Sequence, residues 1–144
     1  MSLLHEYIRV LLIESDTMTQ DKVQSIVDRV FPQIVKDRDV GKQGEPKVEL
    51  HADIYARHSG VEGMEGELSH SSKAEWVDEE NTIYDYYPNM DNEEDVIRSL
   101  LHEFEHTHQD PKKYEKYREE GHDGISNPYE VGARRAEEKW RKYL

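Results

Sequence analysis

The chain has 144 residues, room for one domain around one core. It carries 32 Asp and Glu against 19 Lys and Arg, a formal net charge of -13, which argues against a nucleic-acid backbone or an anionic membrane surface as partner. Hydrophobic residues make up only 35 % and cysteine is absent. Tyrosine must therefore fill part of a modest core, no disulfide framework exists, and any metal must be held by His and carboxylate.

Leu3, Leu4, Tyr7, Ile8, Leu11 and Leu12 recur at helical spacing and predict an amphipathic helix over Leu3–Ile13, within an N-terminal segment 1–16. It reads as a helix docked on the domain, or as a peptide that binds a protein partner. His5, Glu6 and Arg9 interrupt its apolar run, so it is not expected to be a signal peptide. No run approaches the length of a membrane-spanning helix, and a cytosol-like compartment is expected.

Residues 17–144 read as one domain. Thr19 or Asp21 can cap a second helix whose core face is Val23, Ile26, Val27, Val30, Phe31, Ile34 and Val35, with a kink or break expected at Pro32. Gly41 to Pro46 is a loop. Val48, Leu50, Ala52, Ile54 and Ala56 alternate with polar residues and predict a half-buried strand. Ser59 to Lys73 reads as a long loop with a short strand near Met64–Leu68; His58 and His70 there are expected to be solvated. Ala74–Val77 and Thr82–Tyr87 predict a hairpin across the polar turn Asp78-Glu79-Glu80-Asn81. Pro88 ends it.

The hairpin leads into the most informative stretch, His102-Glu103-Phe104-Glu105-His106, which reads H-E-x-x-H. On a helix the two histidines lie one turn apart and can reach one metal ion, with Glu103 beside them to take a proton from a metal-activated water. Asp91-x-x-Glu94 offers a capping box for that helix, and Asp110-Pro111 a stop. Val96, Ile97, Leu100, Leu101 and Phe104 form an apolar stripe; Asp95, Ser99, His102, His106 and Gln109 form a polar stripe roughly opposite. His108 falls nearer the apolar side and is not counted as a ligand. Lys112 to Glu120 predicts a short helix. Asn127 can cap a last helix with Pro128 in its first position and an apolar stripe of Tyr129, Ala133, Ala136 and Trp140, running to the C-terminus.

A catalytic zinc takes three protein ligands and leaves a fourth position for water. A third histidine six residues after His106 would mark the metzincin pattern, but Lys112 stands there, which excludes that class. Glu130, Glu137 and Glu138 on the last helix, and His122 and Asp123 before it, remain as candidates. Glu130 has a competing role, since Asn127-Pro128-Tyr129-Glu130 is itself a capping box.

His102 to Gln109, followed 24 residues after His106 by Glu130 in N-P-Y-E-V-G-A, resembles a small gluzincin-type zinc metallopeptidase of the minigluzincin kind. Gln109 and Glu130-x-x-Ala133 match its H-E-x-x-H-x-x-Q and E-x-x-A features, over roughly Val48 to Trp140. The resemblance implies an α+β, zincin-like single domain with a small, mainly antiparallel sheet, an active-site helix and a C-terminal helix carrying the third ligand. It implies a zinc ion held by His102, His106 and Glu130, with Glu103 as general base, cutting a peptide or protein substrate. Glu137, one turn beyond Ala133, is not expected to touch the metal. Thr82-Ile83-Tyr84 resembles the edge strand over the metal in that family. Gly132 and the acidic Glu105 depart from its pattern. The oxyanion donor is open among Tyr114, Tyr117, Tyr129 and His122. Separately, Leu4 to Glu14 is similar to an opening seen in proteins of tailed-bacteriophage genomes, which implies a phage-encoded protein of the host cytoplasm or the virion. The rival readings are a zinc-stabilised, non-catalytic binding or structural module, including one of a phage particle, and a peptidase whose cleft is covered by the first helix.

Overall fold

The computed structural model describes residues 18–52, 72–122 and 124–144. The helix expected over Leu3–Ile13, the strand expected near Met64–Leu68, and His58, His70 and Asp123 lie outside these residues.

Helix α1 spans Gln20–Arg38, capped by Thr19, whose hydroxyl accepts from the Lys22 N–H at 3.3 Å. Val23, Val27, Val30, Phe31 and Ile34 are its buried face, as their spacing predicts. One helix runs through Pro32, so the expected break does not occur. Pro32 is exposed, and the buried Val30, Phe31 and Ile34 on either side of it hold the backbone helical. Their burial, about 1.5–3 kcal/mol each, outweighs the roughly 3 kcal/mol that an internal proline costs.

The sheet has three strands, β1 (Lys47–His51), β2 (Ala74–Val77) and β3 (Thr82–Tyr86), in the order β1-β3-β2. The expected hairpin is present, with β2 antiparallel to β3 and Trp76 opposite Ile83. Asn81 takes the left-handed position of its turn (φ 46°), a conformation asparagine tolerates. Its side chain accepts from the Trp76 indole at 3.2 Å and donates to the Gln43 carbonyl at 3.3 Å, tying the turn to the loop before β1. β1 pairs parallel with β3, so the sheet is mixed rather than mainly antiparallel. The hairpin occupies one edge of β3 and leaves the other to β1. Thr82-Ile83-Tyr84 therefore sits in the central strand, and among the described residues β2 is an outer strand.

Helix α2 spans Glu93–His106. Its cap is Asn92 rather than Asp91: Asn92 accepts from the Asp95 N–H, and the Asp95 carboxylate accepts from the Asp91 N–H, each at 2.9 Å. The cap is thus shifted by one residue, and Asp95 reaches back past it to Asp91. Val96, Ile97, Leu100, Leu101 and Phe104 are all fully buried. At about 1.5–3 kcal/mol apiece they far outweigh the few tenths lost by placing β-branched Val96 and Ile97 in a helix. The helix ends at His106, before Asp110-Pro111. The Thr107 hydroxyl bonds back to the Phe104 carbonyl, a local side-chain bond that competes with further helix. Asp110 and Pro111 instead start α3 (Pro111–Glu119), with Asp110 as cap.

Helix α4 spans Pro128–Glu137, capped by Asn127 as expected. The chain then leaves the α-helix and ends in a 3-10 turn, Trp140–Tyr143, instead of carrying the helix to the C-terminus. Tyr143 is buried there, donating to Asp37 at 3.0 Å. Tyr84 and Tyr86 are buried in β3, so tyrosine does fill part of the interior. No helix among the described residues is long and apolar enough to cross a membrane.

The turn after α1 is seated on the C-terminal end of α2. The acidic Glu105 finds its partner there, in an ion pair with Arg38 at the end of α1. Gly41 lies so close that a Cβ built on it would overlap the Thr107 carbonyl oxygen. Gly41→Ala must push backbone against backbone, and a loss of about 1–3 kcal/mol of unfolding free energy is expected. Urea denaturation checks this; a variant as stable as the parent would show that the seat is not closely packed.

Candidate metal centre

The polar stripe of α2 faces α4, the element with which α2 shares its most extensive contact. Two helices therefore carry the site, and each side chain has a traceable holder.

His102 presents Nε2 to Glu130 Oε2 at 3.0 Å, and His106 presents Nε2 to Glu130 Oε1 at 3.2 Å. One carboxylate thus faces both imidazoles, one oxygen to each. One ligand atom from each of His102, His106 and Glu130 can be chosen so that all three lie within 4.8 Å of one another. Ligands about 2.0–2.1 Å from one tetrahedral ion sit roughly 3.3 Å apart, so the group could hold a metal ion. Glu130 does not close a capping box on Asn127. Asn127 caps α4 through the Tyr129 N–H at 3.0 Å, which leaves Glu130 to the histidines.

The opposite nitrogens fix the tautomers. Gln109 donates its amide to the Tyr129 carbonyl at 3.0 Å, so its oxygen is the atom 2.7 Å from His106 Nδ1 and must accept from it. Glu137 Oε2 lies 2.8 Å from His102 Nδ1 and accepts likewise. Both rings then carry a proton on Nδ1 and turn Nε2 towards the carboxylate of Glu130. Two acceptors facing each other repel unless a cation, a proton or a metal ion, lies between them. This donor chemistry fits a divalent ion, and Glu137 and Gln109 stand where outer partners orient histidines that hold a metal.

The electrostatics agree. Burial opposes a charge on His102, but the carboxylates of Glu130 and Glu137 outweigh it and raise its pKa to about 10. Burial opposes a charge on His106 as well, and Glu130 again prevails, raising it. Burial would lift the Glu130 carboxyl, yet bonds from His102 and His106 hold it well below the usual carboxylate range. A site that draws protons this strongly offers the same field to a metal cation.

Glu103 is 8 % exposed and reaches the sheet. Its Oε1 accepts from the Trp76 N–H of β2 at 2.9 Å. Burial raises its pKa, against the pull of His106 and His102. Glu103, His106, Glu130, Tyr114 and Trp76 line a cleft of about 550 Å³, and a smaller hollow of about 270 Å³ lies on the His102 side, sharing Glu103.

The remaining candidates fall outside this group. His122 is exposed beside the Tyr117 ring, 6.5 Å between centroids, and Glu138 is exposed at the end of α4. His108 packs on Phe104 and reaches the Asp39 carbonyl at 3.0 Å, a structural role. Gly132 has no steric necessity, since a Cβ there would meet only the Gln109 amide at 3.6 Å. Glu137 offers no atom to the ligand group but touches the ring of His102, a role its sequence position signals: it lies seven residues, two turns, after Glu130. Asp85 gave no such signal. It is fully buried in β3, Oδ2 has no hydrogen-bond partner, and Oδ1 lies 3.4 Å from the Ser99 hydroxyl.

No family model, curated protein or solved structure matches this chain.

Two predictions follow from these contacts. Glu137→Gln removes the charge that holds His102, and affinity for any divalent ion the group takes up is expected to fall about 10- to 100-fold, read by chelator competition. Unchanged affinity would show that other contacts suffice to hold the ring. Burial first, and the charge of Glu103 second, raise Asp85 to about 8 from its ordinary 3.8. Between those values the folded chain keeps a proton that the unfolded chain releases, so stability falls as pH rises from about 4 to 8. The fall attributable to this residue is on the order of 5 kcal/mol. Asp85→Asn has no proton to lose there, and its unfolding free energy should fall less steeply over that window. Parallel pH profiles for variant and parent would place the carboxyl in contact with water.

Proposed function

We propose that the chain is a zinc-dependent peptide hydrolase with Glu103 as general base, a gluzincin-like member of the zincin class. The observation that carries this reading is a group of three donors that could hold a metal, with a buried acid next to His102 in sequence and a cleft lined by that acid, His106 and Glu130. Imidazole and carboxylate donors suit zinc among the common divalent ions. A purely structural zinc is closed by four protein ligands. Here three donors converge among the described residues; the cleft reaches His106 and Glu130, and the smaller hollow reaches His102.

His102, His106 and Glu130 would hold the ion. When bound, it would supply Lewis acidity, polarising a substrate carbonyl and acidifying a water. The chain's own residues do the rest. Glu103, with its pKa raised by burial, takes a proton from the attacking water and later returns it to the leaving amine. The Trp76 N–H holds Glu103 Oε1, which leaves Oε2 for that proton. The outer strand β2 borders the cleft, so an extended peptide can lie along it by strand addition.

A non-catalytic metal module would have no use for an acid beside the ion. Glu103→Gln therefore separates the two readings. The variant is expected to keep stoichiometric zinc and to lose about 10²- to 10⁴-fold in turnover of an unstructured protein substrate such as casein. Turnover equal to the parent's would remove Glu103 as base, and a parent with zinc but no hydrolysis would favour the module.

A further inference from the structure

We infer that the cleft selects peptide segments rich in Lys and Arg. This rests on the hydrolase reading and names a substrate class for it.

Charge is spread unevenly about Glu103. The cleft of about 550 Å³ is walled by Glu75, Asp78 and Glu79 from the hairpin and by Asp110 and Glu115 from the start of α3, and Arg118 is the one Lys or Arg that lines it. Five wall acids to one base far exceeds the 32 to 19 of the whole chain, so the excess is not the chain's average. The hollow of about 270 Å³ is different. There Lys73 lies 3.3 Å from Asp95, and Arg98 lies 3.9 Å from Glu137, so each cation is matched by an acid. β2 joins the two spaces, with Ala74 in the hollow and Trp76 in the cleft. A peptide laid along β2 would pass from a balanced surface to an acidic one.

Singly, the wall acids would be solvated surface charges that contribute little. Among the described residues Asp78, Glu79 and Asp110 have no ion-pair partner, and Glu115 stands 3.8 Å from Arg118. Set on two sides of one concave space, such charges focus their field and raise the local concentration of a cationic ligand. The floor gives an independent sign that a ligand enters. Glu103 is buried and lines the cleft, yet its Oε2 has no hydrogen-bond donor among the described residues, with His102 Nε2 3.9 Å away. Trp76 and Tyr114 add aromatic surface between the acids. The aliphatic stem of Lys or Arg can lie on such rings while its charged head stays among the carboxylates. A peptide rich in Asp and Glu meets the same walls as like charges and is rejected.

The test uses the full zinc-loaded chain and three peptides of one length and one central sequence, flanked by Lys, Gln or Glu. In low salt, kcat/KM for the Lys peptide should exceed that for the Glu peptide about 10- to 100-fold, with the Gln peptide between them. In 1 M sodium chloride, where the Debye length is about 3 Å, the ratio should shrink several-fold. The triple variant Asp78→Asn, Glu79→Gln, Asp110→Asn should bring the ratio to within about threefold of one; Asn at 110 keeps the cap of α3. The control Asp21→Asn, Asp28→Asn, Glu138→Gln makes the same charge change at exposed positions of α1 and the end of α4, and should keep the parent's ratio. Equal kcat/KM for the Lys and Glu peptides in the parent overturns the inference. So does an equal loss of preference in the control, which would assign it to net charge rather than to the cleft. Binding is read separately, by fluorescence anisotropy of the labelled peptides on chains that also carry Glu103→Gln. A parent that cuts no peptide would sink the hydrolase reading. The cleft's preference would then stand if the Lys peptide binds more tightly than the Glu peptide and the triple variant abolishes the difference, and fall if the two bind alike.

Discussion

The structure depends on one contact, the carboxylate of Glu130 set between two imidazoles. A buried, unpaired carboxylate is costly enough that such groups neutralise or find partners. Glu130 finds three: His102, His106 and the Tyr114 hydroxyl. Each histidine is in turn held on its other nitrogen, by Glu137 and by Gln109. Breaking one member of such a set strands the others in a poorly solvated place, which costs more than the pair contributes. That asymmetry ties α2 to α4 through the charged groups between them. The apolar side of α2 supplies the counter-force, with five fully buried side chains pinning the helix to the core.

The sheet plays a different part. β3 is buried along its whole length and belongs to the interior. β2 is only half-buried and gives one backbone N–H to Glu103. The acid is therefore positioned from outside its own helix, by main chain rather than by a rotatable side chain. Main-chain donors on a strand are among the most precise supports a site can have. Metal group and acid thus rest on separate scaffolds, α4 for one and β2 for the other, with α2 common to both.

The sequence made the helices and the histidine pair legible because both depend on local spacing. The apolar stripe of α2 and the position of His102, Glu103 and His106 follow from 3.6-residue periodicity alone. Thr19, Asn127 and Pro128 likewise announce their helices by local chemistry. Spacing alone narrowed the third ligand without choosing it, because a capping role and a ligand role use the same first turn; the resemblance pointed to Glu130, and the packing of α4 against α2 brings its carboxylate to both histidines. Long-range pairing was less legible. The parallel partner of β3 and the central place of Thr82–Tyr86 depend on which strand fills which edge, and alternation within one strand does not encode that. Pro32 does not end its helix for a related reason: propensity is a local term, and burial on both sides of it is not. Asp85 sat in a strand pattern as an ordinary polar position, yet it is fully buried, with the Ser99 hydroxyl of α2 bonding to it and the charge of Glu103 near enough to raise its pKa.

Protons and metal compete for the same centre, and that competition ties folding to binding. Glu103, Glu130 and Glu137 crowd around two imidazoles, with Asp85 buried behind Glu103. With protons alone, the centre is balanced by charging the imidazoles, and His102 is raised to about 10 for that reason. A divalent ion supplies the same two charges at the point where the three ligand atoms converge, and it needs Nε2 of both rings unprotonated. Uptake of the ion must therefore expel protons, and apparent affinity must rise with pH across the range in which the histidines would otherwise hold them. The arrangement explains the two outer partners. Glu137 and Gln109 keep Nδ1 protonated in either state, so the rings need not turn when the occupant of the centre changes. The ring orientations found for His102 and His106 are ones an ion in this group could use, so less binding free energy would be spent on turning them.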